Sequence, residues 1–142
     1  MLLGLGDPIR ELSREWSGEV PAGARDARPY CGGCLVVDGP AWKDDRELPQ
    51  RLADSESLTA WPLVILVDDA EKATRSSMNF LWTVITRFEP AADVFTAGME
   101  IVRHHRCFRD PVVIDARMKT GYPAELLCDP ETARLVTNQW RE

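Results

Sequence analysis

The sequence predicts an α/β domain: a single three-layer-like unit with a small mixed or parallel sheet flanked by helices and a C-terminal docking helix. Three observations carry this expectation. Leu63-Val64-Ile65-Leu66-Val67 is an unbroken apolar run of strand length, the pattern of a strand covered on both faces in a largely parallel sheet. Beyond it, Met78, Leu81, Trp82, Ile85 and Phe88 recur at helical spacing, which gives one apolar stripe. Asp93-Val94-Phe95-Thr96 then returns as a strand, so 63–96 reads as a right-handed strand–helix–strand unit.

The helix of that unit starts near Thr74 or Ser76, either of which can cap its free N–H groups. It stops at Glu89-Pro90, because the residue before proline is pushed out of helical geometry. Val112-Val113-Ile114 predicts a third short buried strand, followed by a basic loop and the turn chemistry of Gly121-Tyr122-Pro123. Asp129 and Pro130 open a last helix, on which Leu135, Val136, Gln139 and Trp140 share a face. A tryptophan exposed so near the end of such a helix points to docking on a partner or to exchange between subunits.

Upstream, the signal is weaker. Asp7-Pro8 can open a short helix through Trp16, with Ile9, Leu12 and Trp16 on one face. Gly18, Pro21, Gly23 and Pro29 then punctuate what reads as an extended arm. Cys34-Leu35-Val36-Val37 predicts a short strand stopped by Asp38-Gly39-Pro40, and Leu48 and Leu52 suggest a turn or two of helix. The expected organisation is therefore an N-terminal extension with a C-x-x-C turn over 1–58 and an α/β domain over 59–142.

Composition limits the function classes. The chain has 142 residues, ordinary shares of hydrophobic (44%) and charged (28%) residues, and a net charge of -6. Phosphate-backbone binding needs concentrated basic surface, so nucleic acid is not an expected partner. The local basic run Arg103-His104-His105-Arg106 reads as a solvated turn or an anion contact. No apolar run approaches the ~20 residues of a membrane helix, and the N-terminus lacks the basic flank and long apolar stretch of a signal peptide. Four cysteines in a chain of ordinary core size are not a secreted disulfide framework. Together these point to a cytoplasmic protein that does not enter the membrane. No Gly-x-Gly-x-x-Gly, Walker-type or Gly-x-Ser-x-Gly motif occurs, which removes the common nucleotide and serine-hydrolase readings.

One ordered set of motifs remains. It runs Val67-Asp68-Asp69, Leu81-Trp82, Thr86-Arg87-Phe88-Glu89-Pro90, Asp93, Ile114-Asp115-Ala116-Arg117 and Lys119. This set resembles the C-terminal domain of the UbiD-type aromatic decarboxylases, over roughly Trp61 to Trp140. It departs from the family where the acidic turn reads Asp68-Asp69-Ala70-Glu71-Lys72, and where Arg117 stands at a place in which threonine is common. The family uses prenylated FMN to add or remove carbon dioxide at unsaturated or aromatic carbons. Its flavin-binding barrel and catalytic residues lie N-terminal to the domain resembled here, and the residues before Trp61 contain no recognisable counterpart. The resemblance therefore implies a small non-catalytic subunit that binds no cofactor alone. It would complete a UbiD-like large catalytic subunit holding the prenylated FMN, meeting it through the sheet edge, the Trp82 helix and the C-terminal helix.

Several residues are candidates for contacts. Asp68 and Asp69 end a central strand, where open α/β sheets bind ligands; they face a partner's active site or metal, or they cap the next helix and make a tight turn. Arg87 can reach a phosphate or carboxylate, or it can pair with a nearby acid such as Asp93 and fix the helix end. Lys119 and Arg117 are the candidates for meeting a flavin phosphate or an acidic partner surface. Trp82, Arg87, Asp68, Asp69 and Trp140 form the expected partner contact. Cys31 and Cys34 could share a metal or form a redox disulfide, but zinc needs further ligands from Cys107, His104, His105 or Cys128, whose spacing matches no zinc motif. The competing function is an independent binding or regulatory module, a homodimer with a zinc or small-anion site.

Overall fold

The computed structural model describes residues 11–123 and 128–140. Its seven strands are β1 (Asp26–Cys31), β2 (Cys34–Asp38), β3 (Leu63–Val67), β4 (Val94–Phe95), β5 (Met99–Val102), β6 (His105–Phe108) and β7 (Val112–Asp115). The helices are α1 (Leu48–Ala53), α2 (Ala70–Thr74), α3 (Ser77–Arg87) and α4 (Pro130–Gln139), with a 3₁₀ turn at Glu56–Leu58. Five strands form one mixed sheet in the order β1-β2-β3-β7-β4, and β5 and β6 pair separately. The α/β class and the three layers expected from sequence are therefore present.

β3 occupies the middle of the sheet, parallel to both β2 and β7. Successive strand residues point to opposite faces, so its continuous apolar run serves two cores at once. Val64 and Leu66 join Leu35, Val37 and Val113 beneath α1, Leu58 and Trp61. Ile65 and Val67 join Val36 against Ala70 and Ala73 of α2, with Phe80 and Val84 of α3 packed on them. Gly39 is required where β2 ends, because a Cβ there would stand 2.8 Å from Leu66 Cδ1.

Two expectations need correction. First, β4 does not lie parallel beside β3; it pairs antiparallel with β7 at the sheet margin. The parallel return after β3 is β7, so the crossover spans α2, α3, β4 and the β5–β6 hairpin. Second, the chain before residue 59 is not an appended arm. β1, β2 and α1 belong to the same sheet and core as β3 and β7. Pro29 disguised β1, but proline is tolerated on an edge strand, and β1 is an edge. Of the short helix expected through Trp16, Asp7, Pro8 and Ile9 lie outside the described residues. Residues 11–16 are not helical, and Trp16 packs against Trp61 with ring centroids 6.2 Å apart.

α3 turns its hydrophobic stripe away from the sheet, to the side from which the Trp82 helix was expected to meet a partner. Ser76 caps it as expected, accepting from the Asn79 backbone N–H at 3.1 Å. A second set at helical spacing, Phe80, Thr83, Val84 and Arg87, faces the sheet. Phe80 stacks on Tyr30 of β1 with centroids 3.8 Å apart and planes 7° from parallel. The apolar stripe consequently faces outward, with Met78 72%, Leu81 50%, Trp82 62% and Ile85 68% exposed.

The stretch after Gly98, irregular in the sequence, is the β5–β6 hairpin. Its two turn residues, Arg103 and His104, both have positive φ (50° and 70°), as tight hairpin turns require. Neither is the asparagine or glycine that would have announced such a turn. α4 is capped by Asp129, which accepts from the Glu131 and Thr132 backbone N–H groups, and it buries none of its side chains.

The two-faced burial of β3 has a measurable consequence. Leu66→Ala should cost ~2–5 kcal/mol of stability through lost burial and a residual cavity. Trp82→Ser should change stability by no more than about 1 kcal/mol. Urea denaturation midpoints at constant m-value would separate the two.

Candidate functional site

The residues singled out by sequence converge at the carboxyl ends of β3 and β7, where three loops meet. Asp68 follows β3, Arg87 closes α3, and Asp115, Arg117 and Lys119 belong to or follow β7. Parallel pairing of β3 and β7 in register, with Leu66 opposite Asp115, brings these segments side by side.

Asp68 does not cap the next helix. Its carboxylate accepts from the Met118 backbone N–H at 2.7 Å and from Arg87 Nη1 at 3.2 Å. The cap is Asp69, which accepts from the Lys72 backbone N–H at 2.8 Å. Arg87 thus takes Asp68 as its acid, not Asp93. Asp93 instead holds the Lys119 ammonium at 3.0 Å and accepts from the Glu89 backbone N–H at 2.7 Å, tying the end of α3 to the β7 loop.

Lys119 is largely enclosed. Its Nζ donates to the backbone carbonyls of Arg87 and Asp115, both at 2.8 Å, besides pairing with Asp93. An ammonium has three protons to give, and these acceptors account for all of them. Arg117 is fully buried. Its guanidinium grips Asp115 through two hydrogen bonds, Nε to Oδ1 at 2.9 Å and Nη2 to Oδ2 at 2.8 Å. Nη1 reaches across to the carbonyls of Pro40 (3.1 Å) and Asp45 (2.9 Å). Both cations, expected from sequence to meet a flavin phosphate or an acidic partner surface, have partners inside the fold.

Asp45 is itself anchored, because Arg51 hydrogen-bonds its side chain and holds the carboxyl below the usual carboxylate range. What the cluster does is physical: three ion pairs fasten the strand ends to α3 and to the 40–45 loop.

Cys31 and Cys34 flank the two-residue turn between β1 and β2 and face each other across it. Cys31 is exposed and Cys34 buried. Burial, with the neighbouring Cys31 thiol adding to it, pushes the Cys34 thiol up to about 12. Among the described residues no group of three or more His, Cys, Asp or Glu side chains could hold a metal ion, so Cys107, His104, His105 and Cys128 are not brought to this pair. Trp82 and Trp140 are exposed, the latter at 86%. The exposed apolar residues of β5 and β6, among them Met99, Ile101 and Phe108, gave no sequence signal as a surface feature, because the stretch lacked any recognisable periodicity. Among the described residues no helix is long and apolar enough to cross a membrane.

Fold and site together define a three-layer α/β domain, stitched at its strand ends by ion pairs and bearing an outward apolar helix face. Proteins similar in sequence are known. The chain is 35% identical over 99% of its length to a protein of Chlamydia pneumoniae that is named as a subunit of 4-hydroxybenzoate decarboxylase. It is 36% identical, over the same share, to an uncharacterized protein of Chlamydia trachomatis. The likeness to a decarboxylase that the motifs suggested is thereby borne out. It spans about a quarter of these relatives, 24% of each. The relationship reaches beyond Trp61–Trp140 to include the residues before it. Among solved structures, the open form of vanillic acid decarboxylase from Sedimentibacter hydroxybenzoicus matches in fold, with a TM-score of 0.50 and 13% identity over 84% of this chain and 28% of that one. No family model matches the sequence.

Two outcomes follow from the site. Arg117→Met should cost ~3–5 kcal/mol, since it strands the buried Asp115 carboxylate, whereas replacing both partners by apolar residues should recover much of the loss; denaturation of the single and double variants decides this. With iodoacetamide at neutral pH, Cys31 should be alkylated and Cys34 spared until the chain unfolds. Peptide mapping that found both modified at equal rates would refute the protection ascribed to burial.

Proposed function

We propose that this chain is an accessory, non-catalytic part of a UbiD-like carboxylase or decarboxylase that acts on aromatic compounds. In this reading it supports assembly of a larger catalytic polypeptide, which holds the prenylated FMN, and helps to wall its active site. The observation that carries the proposal is the outward stripe of α3. Met78, Leu81, Trp82 and Ile85 are all at least half exposed on one helix. A contiguous apolar surface of this kind marks an interaction site more often than a solvated one. Burying such a side chain fully stabilises a complex by ~1.5–3 kcal/mol.

Two further observations support the reading. The strand-end cations are consumed within the fold, so the chain's polar cluster serves to hold shape. The matched relatives are about four times as long, at 24% coverage, and one of them bears the name of a decarboxylase subunit. Arg87 and Asp68 then act by fixing the end of α3, Asp69 by capping α2, and Trp82 makes the contact itself. Trp140, exposed beside α4, offers a second apolar contact.

Co-expression with a UbiD-like large subunit, followed by size-exclusion chromatography, tests this. The two chains should co-elute, the flavin should travel with the large one, and Trp82→Ala should weaken association by about tenfold or more with the fold intact. Tight binding of prenylated FMN by this chain alone, or unaltered association of the Trp82 variant, would overturn it.

A further inference from the structure

A second feature, independent of the α3 surface, lies at the opposite end of the sheet from the ion-pair cluster. β1 and β2 are joined by Gly32-Gly33, and the residues on either side of this turn, Cys31 and Cys34, are paired across the ladder. Directly opposed residues in an antiparallel pair have Cβ atoms ~4.5–5.5 Å apart, and a disulfide asks for about 3.5–4.5 Å. Closing the bond therefore needs only a small local shift. The place for that shift is built in: the register is irregular between Pro29 and Cys31, and the turn consists of two glycines, of which Gly33 has a φ of +78°.

We propose that Cys31 and Cys34 form a reversible dithiol–disulfide site that exchanges with low-molecular-weight disulfides.

The asymmetry of the pair sets the order of events. Cys31 is exposed and Cys34 buried, so Cys31 makes the first attack and Cys34 resolves. The Cys31 thiolate attacks one sulfur of glutathione disulfide; that S–S bond breaks and one glutathione leaves as its thiolate. Cys34 then gives up its proton and attacks the Cys31 sulfur, displacing the second glutathione. Two electrons and two protons pass from the protein to glutathione disulfide, which is reduced to two glutathione molecules. Burial makes Cys34 a poor nucleophile toward reagents in solution, but its placement against Cys31 makes the second step intramolecular, which offsets this.

The turn is also a mechanical junction. The Gly33 N–H donates to the Ser13 carbonyl at 2.8 Å, and the Gly33 carbonyl accepts from Leu63 N–H at 3.1 Å. The disulfide therefore fixes the point where the segment around Ser13 meets the start of β3. A bond formed across a slightly displaced pair is readily reduced, so the site is reversible and not a permanent staple.

The test uses the full chain, reduced, desalted and incubated with glutathione disulfide. Titratable thiols should fall by two, intact mass should drop by about 2 Da relative to the reduced chain, and dithiothreitol should restore both. Cys107→Ser and Cys128→Ser should behave as the parent. Cys31→Ser should show no such drop, and Cys34→Ser should stop at a stable glutathione adduct on Cys31. If Cys34→Ser fails to fold, Cys31→Ser and peptide mapping of the parent decide the matter alone. A parent chain that shows no mass loss would overturn the proposal. So would one that halts at the glutathione adduct, retains the loss in Cys31→Ser, or holds stoichiometric zinc on the two thiols.

Discussion

The fold depends on a charge pair that never meets solvent. Arg117 and Asp115 lie two residues apart at the end of β7, both fully or almost fully buried, and the guanidinium also binds the carbonyls of Pro40 and Asp45. Burying two charges is costly, and such a pair is tolerable only when its hydrogen bonds are made. Here they are, and no described buried side-chain nitrogen or oxygen lacks a partner. The pair specifies more than it stabilises. It forces the loop after β2 to close over the end of β7, which fixes the first third of the chain to the last.

From that junction the other two ion pairs follow in space. Asp68 reads the position of the β7 loop through Met118 and the end of α3 through Arg87, and Lys119 reads both through carbonyls and Asp93. Because α3 is set by its last residue, by its capping serine and by the stack of Phe80 on Tyr30, its orientation is determined by polar and aromatic contacts. That is how a helix can turn its more hydrophobic side away from the sheet. The surface that Trp82 dominates is a consequence of the interior, which makes the two inseparable in any reading of function.

The sequence disclosed those elements whose physics is local. β3 was legible because an apolar run bounded by acids has few other meanings, and Ser76, Pro90 and Asp129 mark helix ends by hydrogen-bonding and steric rules that need no tertiary context. The direction of β4 was not legible, because two residues carry no orientation signal and the choice of partner is made by β7. β1 was hidden by Pro29, and the β5–β6 hairpin by turn residues that adopt positive φ without being glycine. At the site, the sequence picked out residues that the fold brings together, but not the partners each one takes. Arg117 and Lys119 look like ligand cations in a linear reading, and only the fold reveals the carbonyls that surround them. Which of two helical stripes on α3 is buried was likewise beyond periodicity, since both satisfy it.

The placement of Pro29 has a consequence for how this domain can associate. An open sheet ordinarily invites another strand at its margins, where unpaired backbone groups wait. Here one margin is β1, in which proline has no N–H to offer and Asp26 and Arg28 bring charge. The other is β4, only two residues long. Neither is a good template for a further strand. These edges disfavour continuation of the backbone ladder and favour recognition of the domain by the shape and chemistry of its side chains, a selective contact over open-ended polymerisation.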